Sequence, residues 1–473
     1  MFIRRIQKYA IKHLKNGVGR IYVQNSDCLR KSQLPENTAI NVTYSKGRIE
    51  VVACENGKNK IMDTGRGALL ELKNKDTGNA FAGVDRVSIT FRKGKVIITL
   101  HHQDKKRLER EKEFLRTLLS GKPIRKASFF SGLGMLTYHL KVGLEKAGLR
   151  SQICFANDTS QVAMECALAA NPIWKNPSHD AIAITDDLSD LDLNVLVNAH
   201  FADVSYPCVG QSQLCDPIKR DIFHPDAGTL FVKLIAALEK VNPAIILIEN
   251  TPMFAKSETL RVLKSELKGY RFEQVILNAY EHGEIEPRPR VCVVAVSEGL
   301  PEMHLDQLTP EFRSHDVRPK LQDYLEPIPE DSPLWREMAH VKKKDTESHH
   351  NYKNKLYFGH ETKIATLTAS YAAPKAGTPM IAHPSDPNLQ RQVTEREHSR
   401  IRHLPCELHS ELMKVADGTH PMVSIKGSKT LVHRMCGNGV SKRVWNDVGE
   451  FLGNYFIKAR DLMVRKQHVL FAA

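Results

Sequence analysis

Phe129-Phe130-Ser131-Gly132-Leu133-Gly134 joins an apolar run that starts at residue 127 to a segment of helical periodicity that closes at Ala147-Gly148. A Gly-x-Gly turn after a strand lets the backbone pass close to a ligand at the start of a helix. A turn of this kind can also do no more than pack a strand against a helix. The stretch therefore predicts the first strand of an α/β sheet and marks a candidate ligand loop.

Further apolar runs alternate with helical segments on the C-terminal side of this loop. Such alternation predicts an α/β fold with a doubly wound, mostly parallel sheet, in which ligands bind beyond the carboxyl ends of the strands. The predicted strands cover residues 127–130, 153–156, 195–202, 244–248 and 291–296, with a helix over residues 226–240.

Acidic residues stand where two neighbouring strands are expected to end. Asp158 follows Ala156-Asn157 and could accept hydrogen bonds from ribose hydroxyls, and Asp187 in Thr185-Asp186-Asp187-Leu188 could hold an adenine amino group. Either acid alone is more typical of a solvated turn or a helix cap. Together they indicate an adenosine pocket. Because the chain lacks a Gly-rich phosphate loop with Lys-Ser/Thr, S-adenosylmethionine is favoured over a nucleoside triphosphate.

A reactive set follows in order along the chain: Pro207-Cys208, then Glu249-Asn250, then Arg288-x-Arg290 before an apolar strand. One thiol, one carboxylate and two guanidiniums at strand ends suit covalent attack on an electron-poor ring. Taken singly, each has a plainer interpretation, since an isolated cysteine is usually buried and inert and a strand-end Glu usually forms a surface salt bridge. Their joint order favours catalysis.

These motifs make residues 124–460 resemble the DNA cytosine-5 methyltransferases. The matching segments, in chain order, are Phe130-Ser-Gly132-Leu-Gly134, Gly143 to Gly148, Pro207-Cys208 with Ser212, Glu249-Asn250, Arg288-x-Arg290-Val291, Val393-Thr-Glu-Arg-Glu397 with Arg400, and Gly437-Asn438-Gly439-Val440.

The resemblance implies a Rossmann-like methyltransferase fold, S-adenosylmethionine as cofactor and no metal. Cys208 would add to carbon 6 of a cytosine flipped out of double-stranded DNA, and Glu249 would bond ring nitrogen 3. Asn250 would position the site, while Arg290 and, less directly, Arg288 would orient Glu249 and the base or hold the flanking backbone. The residues implied for cofactor binding are Phe130, Gly132, Gly134, Asp158, Asp187, Asn438 and Val440.

Several residues depart from the family pattern without removing a catalytic group. They are Val209 after the nucleophile, Met135 and Ser128 around the glycine loop, Thr251 after Glu249-Asn250, and Ile285-Glu286 before the arginines. Glu286 adds a carboxylate, which we expect to be mildly unfavourable near a phosphate path.

The N-terminal quarter carries the charge excess. Residues 1–126 hold 28 Lys+Arg against 12 Asp+Glu, and the remainder holds 40 against 42. This indicates a polyanion partner, with a solubilising face as the alternative. Residues 40–51 match residues 87–98 at an offset of 47, each alternating around Lys-Gly, which predicts two tandem β-hairpin repeats.

The predicted organisation has five segments. They are a basic repeat domain (1–103), a charged helix and linker (104–123), a cofactor-binding catalytic domain (124–297), a target-recognition region (298–392) with Lys342-Lys343-Lys344 and Thr366-Leu367-Thr368-Ala369, and a C-terminal part that returns to the catalytic domain (393–473). No apolar run spans a membrane, so we expect a cytoplasmic protein of bacterial or phage type.

Three functions stay open at this point. The leading one is DNA cytosine-5 methylation, with a cognate restriction endonuclease as an open partner class. The second is methylation of a structured RNA by the same chemistry. The third is a DNA-binding regulator with a degenerate methylase body. The target sequence and the oligomeric state are not predicted.

Overall fold

The computed structural model describes residues 4–211, 215–342, 355–375 and 377–472. The chain forms two compact units, residues 1–109 and residues 110–473. Ser212, together with Lys343 and Lys344 of the lysine run, lies outside the described residues. In the described parts of the chain, no helix combines the length and apolarity needed to cross a bilayer.

The first unit is built on an antiparallel sheet of nine strands in the order β5-β3-β4-β9-β8-β1-β2-β7-β6. Its elements are β1 (Arg5–His13), β2 (Gly19–Val23), α1 (Ser26–Lys31), β3 (Ala39–Ser45), β4 (Arg48–Ala53), β5 (Asn59–Lys60), β6 (Met62–Asp63), β7 (Ala68–Asn74), α2 (Lys75–Ala80), β8 (Arg86–Arg92) and β9 (Lys95–Leu100).

The sheet nearly closes into a barrel, because its two end strands, β5 and β6, are separated only by the buried Ile61. Alternate residues of the strands fill an apolar interior, including Ile21, Ile49, Val87 and Ile98. The pairs β3–β4 and β8–β9 each turn through a glycine with positive φ, Gly47 and Gly94. All these strands join one sheet rather than forming separate hairpin units, so the tandem-repeat interpretation stays a prediction.

The second unit contains a seven-stranded mixed sheet in the order β12-β11-β10-β13-β14-β16-β15. The elements that follow β9 are α3 (His102–Leu119), β10 (Ile124–Phe129), α4 (Met135–Lys146), β11 (Ser151–Asp158), α5 (Gln161–Ala170), β12 (Ile182–Thr185), β13 (Phe201–Ser205), α6 (Leu230–Val241), β14 (Ile245–Asn250), α7 (Glu258–Glu266), β15 (Tyr270–Asn278), β16 (Pro289–Ser297), α8 (Ala339–Lys342), β17 (Lys355–Tyr357), β18 (Pro379–Ala382), β19 (Gln390–Arg391), α9 (Glu395–Ile401), α10 (Cys406–Asp417), α11 (Lys429–Asn438) and α12 (Lys442–Ala472).

The α/β prediction for this body is confirmed. Strands β12, β11, β10, β13 and β14 run parallel, whereas β16 runs antiparallel to both β14 and β15. The strand predicted over residues 195–202 was largely wrong, because β13 begins only at Phe201. Before it, Asp192 accepts a hydrogen bond from the Asn194 amide at 2.9 Å and caps a short 3-10 turn, and of the apolar residues that follow, Leu196 is buried while Val195 is exposed.

Both faces of this sheet are covered, as a parallel sheet requires. Ile245 and Leu247 of β14 pack into one apolar cluster, and Ile246 and Ile248 pack into the other. On the first face α12 lies directly against α4: a Cβ at Gly143 would sit 2.2 Å from the Asn446 carbonyl oxygen. This close approach brings the C-terminal helix against the helix that follows the glycine loop.

A smaller sheet, β17-β18-β19, lies within the segment predicted to choose the target. An apolar cluster supports it with Trp335, Tyr371 and Ile381, and it also includes Ile285 and Ile401 from outside that segment. The region is therefore packed against the loop before β16 and against α9.

Candidate active site

Cys208 lies just beyond the carboxyl end of β13, and the chain that carries it is fixed by buried hydrogen bonds. The hydroxyl of Tyr206 donates to the Ala227 carbonyl at 2.8 Å, and Asn250 Nδ2 donates to the Tyr206 carbonyl at 3.0 Å. Cys208 is exposed, a property it shares among the nine cysteines only with Cys406. Asn250 thus links the end of β14 to the nucleophile loop, a positioning contact that agrees with the sequence-based hypothesis.

Glu249 and Arg290 form an ion pair on neighbouring strands. Glu249 is the penultimate residue of β14 and is in register with Ser205 of β13, three residues before Cys208. Arg290 Nε lies 3.0 Å from Glu249 Oε1. Burial raises the pKa of Glu249, and the charges of Arg290 and Arg288 oppose that rise. A carboxyl group in this setting holds a proton more readily than an exposed one.

The electrostatics around the Cys208 thiol act in both directions. The residue is exposed, yet the protein around it displaces enough water that desolvation raises the thiol pKa, and the negative charge of Glu249 raises it further. Arg290 and Arg288 lower it. Before any substrate enters, the site therefore favours the thiol over the thiolate. Protonation of Glu249 would remove one of the two effects that raise the thiol pKa.

Arg288 has a different position from Arg290. It is buried, and its Nη2 donates to the carbonyls of Gly437 at 2.7 Å and Gly439 at 2.9 Å. Burial lowers its pKa well below the usual value. Arg288 therefore holds the Gly437-Asn438-Gly439 backbone in place, and the roles predicted for it towards Glu249 and the base stay predictions.

Glu286 does not face a phosphate path, which corrects the sequence-based expectation. Its carboxylate forms a buried ion pair with Arg402, and Glu286 Oε1 also accepts the Leu367 amide at 2.7 Å. Arg402 in turn donates to the Cys436 carbonyl at 2.9 Å and the Leu367 carbonyl at 2.8 Å. The carboxylate is a structural tie among three segments, so its charge is neutralised within the protein.

The glycine loop after β10 is held in a left-handed conformation, with φ of 56° at Phe130, 52° at Gly132 and 73° at Gly134. Asp158, at the end of β11, accepts the Gly132 amide at 2.7 Å and the Ser160 amide at 2.8 Å. The Phe130 ring packs edge-on against Tyr206 at 5.6 Å, which connects the loop to the nucleophile segment. Asp158 thus braces the loop and keeps further lone pairs for a hydroxyl donor.

Ser128 stands where the family pattern has Asp. It lies beneath this loop, next to a carboxylate from another strand. Its hydroxyl donates to Asp203 Oδ1 at 2.8 Å, and so does that of Thr137 at 2.6 Å. Lys126 Nζ lies 3.5 Å from Asp203 Oδ2 in the same buried network. The buried carboxylate at this place is therefore that of Asp203, on the neighbouring strand β13.

The remaining predicted cofactor residues lie around the same edge of the sheet. Asp187 follows β12, and its Oδ1 accepts the Ser189 amide at 2.7 Å, so it caps a turn as its simpler interpretation predicted. Asn438 is exposed at the end of α11, whereas Val440 is buried against the core of the unit. Arg288 fixes the backbone between these two residues.

The residues present fit an adenosine-containing cofactor. A Cβ at Gly132 would meet only Asp158 Oδ2, at 3.9 Å, so the space above this glycine is open. Acceptor carboxylates stand at the ends of β11 and β12, where ribose hydroxyls and an adenine amino group could donate. Phe130 and Val440 supply apolar groups, and no group of three or more metal-ligating side chains occurs in the described residues.

Sequence reasoning missed Asp221, which shapes the loop after Cys208. Its φ of 56° is unusual for a non-glycine residue, and its carboxylate accepts from Gln211 Nε2 at 2.9 Å and Thr259 Oγ1 at 2.6 Å. Ile218 and Phe223 on the same loop are strongly exposed. No local signal distinguished it from Asp216 and Asp226 of the same loop, because its partner Thr259 lies 38 residues away.

The arrangement of loop, strand-end acids and nucleophile defines a methyltransferase of the S-adenosylmethionine-dependent fold. The chain matches the C-5 cytosine-specific DNA methylase family over residues 124–454. Since this match covers most of the chain, the protein belongs to that family. Membership implies S-adenosylmethionine as the methyl donor.

Solved structures agree on the fold. Schizosaccharomyces pombe Dnmt2 methyltransferase shows 19% identity and a TM-score of 0.50, covering 70% of this chain and 98% of that one. A Spodoptera frugiperda Dnmt2 variant shows 17% identity and a TM-score of 0.51, covering 70% and 99%. No curated protein matches the chain by sequence.

Proposed function

We propose that the protein transfers a methyl group from S-adenosylmethionine to carbon 5 of a cytosine flipped out of double-stranded DNA, through a covalent Cys208 adduct. The observation that carries the proposal is the Glu249–Arg290 pair at the end of β14, beside the strand that delivers Cys208. The family match supports cytosine chemistry, and the N-terminal charge excess supports a polyanionic substrate.

The reaction begins when the Cys208 thiol loses its proton to solvent water, since the site holds the residue as a thiol before substrate enters. The Cys208 thiolate adds to carbon 6, the carbon 5–carbon 6 π bond opens, and Glu249 donates its proton to ring nitrogen 3 as charge develops there. Burial raises the pKa of Glu249, so this residue can carry the proton that nitrogen 3 receives. The pKa of the Cys208 thiol is raised as well, by desolvation and by the Glu249 charge, and the charges of Arg290 and Arg288 offset part of that rise.

The bound cofactor supplies an electrophilic methyl group on a sulfonium. That methyl group would pass to carbon 5 of the adduct from a cofactor that Phe130, Gly132 and Asp158 would hold. Solvent water takes the carbon 5 proton, and the electrons of that C–H bond restore the carbon 5–carbon 6 double bond and expel the Cys208 thiolate. Glu249 recovers the proton from nitrogen 3. The protein holds the two reactants at one edge of the sheet, with Phe130 and Tyr206 in contact between the cofactor loop and the nucleophile segment.

Incubation with methyl-labelled S-adenosylmethionine and duplex DNA, followed by bisulfite mapping, tests the proposal. We expect label at cytosine carbon 5 in DNA, and parallel reactions on structured RNA of the same sequence should incorporate less. Preferential labelling of RNA would contradict the proposal and show that the substrate is RNA. Cofactor binding without methyl transfer to DNA or RNA would instead favour the third hypothesis, a DNA-binding regulator with a degenerate methylase body.

The covalent step has its own measurement. DNA with 5-fluorocytosine at a mapped target should trap the protein, because the fluorine cannot leave as a proton does. Cys208→Ser should abolish trapping, whereas Cys406→Ser, the matched exposed cysteine, should trap like the parent. Trapping that survives Cys208→Ser would contradict the assigned nucleophile.

A further inference from the structure

The outer face of the N-terminal sheet carries cations in cross-strand register. Lys12 of β1 is paired with Arg20 of β2, and Arg20 is paired with Lys73 of β7. We call these three residues the cation row. Directly paired residues share a face of the sheet, and the neighbouring Ile11–Ile21 pair is buried in the barrel interior, so the cation row points outward.

This row is electrostatically unfavourable by itself. Like charges directly opposite each other on paired strands destabilise a sheet. Arg20 has one compensating partner, with its Nε 2.6 Å from Glu71 Oε1. Within the described residues no carboxylate lies at ion-pair distance from the exposed Lys12 or Lys73. The row therefore keeps a net positive charge that the protein does not neutralise.

The rest of the face continues the pattern. Lys8 is exposed and has no ion-pair partner among the described residues. It begins a line of residues that are opposite one another on neighbouring strands: Lys8, Ser88, Thr99 and Arg48. Ser88 and Thr99 thus place hydroxyl groups between two cations. Ser and Thr side chains, like those of Lys and Arg, commonly contact nucleic-acid phosphates. Four cations of the face have carboxylate partners: Arg20 with Glu71, Arg48 and Lys95 with Glu50, and Arg86 with Asp104 of α3. The other cations of the face are Lys8, Lys12, Lys73 and Arg92.

We propose that this outer face, centred on the cation row, binds the phosphodiester backbone of double-stranded DNA. Charge complementarity supports this occupant, since residues 1–109 carry 22 Lys+Arg against 10 Asp+Glu. The unit lies outside the family match, so it adds a site that the methylase body does not contain. Phosphate contacts position a protein on a duplex without selecting sequence, and their contribution falls steeply with salt.

The test compares the full-length parent with two triple variants of equal charge. Lys8→Gln, Lys12→Gln and Lys73→Gln remove the unpaired cations of the face. Lys46→Gln, Lys58→Gln and Lys93→Gln are the control, because these exposed lysines lie outside the strands, in the β3–β4 turn, before β5 and in the β8–β9 turn. Affinity for a poly(dA)·poly(dT) duplex is measured between 50 and 200 mM salt. That duplex holds no cytosine, so the result does not depend on the proposed methylation.

For the parent, affinity should fall steeply across this salt range. Each lost phosphate contact should lower the slope of log affinity against log salt by about 0.9. Losing three contacts should therefore make the fall in affinity between 50 and 200 mM salt smaller by about 40-fold. The control should shrink it by less than about threefold. Because the face variant also relieves repulsion, its thermal unfolding temperature should equal or exceed that of the parent, which separates lost binding from lost folding.

Two results would overturn the proposal. One is an equal change in the salt dependence of affinity for the face variant and the control. It would show that the cation row contributes no more than any other surface charge. The other is a face that prefers another polyanion, seen as binding to vesicles of anionic lipid, or to a poly(rA)·poly(rU) duplex, more tightly than to poly(dA)·poly(dT).

Discussion

The two sheets of this protein place their charged residues in opposite ways. In the N-terminal sheet the interior is apolar and the cations lie on the outer face, in contact with solvent. In the catalytic sheet the charged residues are buried near the strand ends, as in Glu249 with Arg290 and Glu286 with Arg402. Taking charges out of water is unfavourable unless partners compensate for it.

This difference predicts two kinds of response to mutation. Each buried charge in the catalytic unit has a specific partner, so removing one leaves the other uncompensated and the effect should be large. The unpaired lysines of the N-terminal face, Lys8, Lys12 and Lys73, each contribute a separate contact with solvent or ligand, so their effects should be small and additive.

Glu249→Gln should reduce the rate of methyl transfer by about 10²- to 10⁴-fold, the range expected when a proton donor is lost. The amide keeps the size of the side chain but cannot transfer the proton to nitrogen 3. Single-turnover kinetics on duplex DNA measure the effect. Glu258→Gln, an exposed carboxylate at the start of α7, is the control and should retain the parent rate. A fall of less than about threefold for Glu249→Gln would remove the residue from the chemistry.

Arg402→Ala should lower the free energy of unfolding of the catalytic unit by about 3–5 kcal/mol, because it leaves Glu286 buried without its partner. Denaturant titration measures this. The double variant Glu286→Gln with Arg402→Gln removes both charges and should recover most of the loss. If the single and double variants were equally unstable, packing and not the ion pair would account for the effect.

Arg290→Gln should lower activity by about 10²-fold and move the acid limb of the rate profile to higher pH. Arg290 lowers the pKa of the Cys208 thiol, so without it that pKa rises and less thiolate is present at a given pH below it. The measurement is the pH dependence of adduct formation with 5-fluorocytosine DNA. An acid limb that stays in place would show that thiol ionisation does not limit the step.

The sequence was informative where a residue stands at the end or start of an apolar run. Cys208, Glu249 and Arg290 were predicted to lie together on that ground, and the sheet does bring Glu249 beside Arg290 and next to the strand that precedes Cys208. Glu286 was misjudged because its partner, Arg402, lies 116 residues away and no local pattern reports it. For the same reason the tie from Arg288 to Gly437, across 149 residues, was visible only in the structure.

In the N-terminal unit the alternating pattern predicted which segments are extended and where they turn. It did not predict β1, nor that β2 would pair with β7. That pairing depends on interstrand register, and register decides that Lys12, Arg20 and Lys73 are neighbours. Composition indicated a polyanion partner, but the face that would meet it required the sheet topology.

Lys73→Gln alone should have the smallest effect and so tests the additive side of the contrast. Loss of one phosphate contact should reduce the salt-dependent fall in duplex affinity between 50 and 200 mM by about threefold, with unchanged methyl transfer at saturating DNA. Lys12→Gln should act equally, and the two together should multiply, because neither residue leaves a buried partner behind. Fluorescence anisotropy with poly(dA)·poly(dT) measures the affinities, and Lys46→Gln is the control. If one substitution removed as much binding as the two combined, the outer face would act as a cooperative site like the catalytic edge, and the contrast between the two sheets would fail.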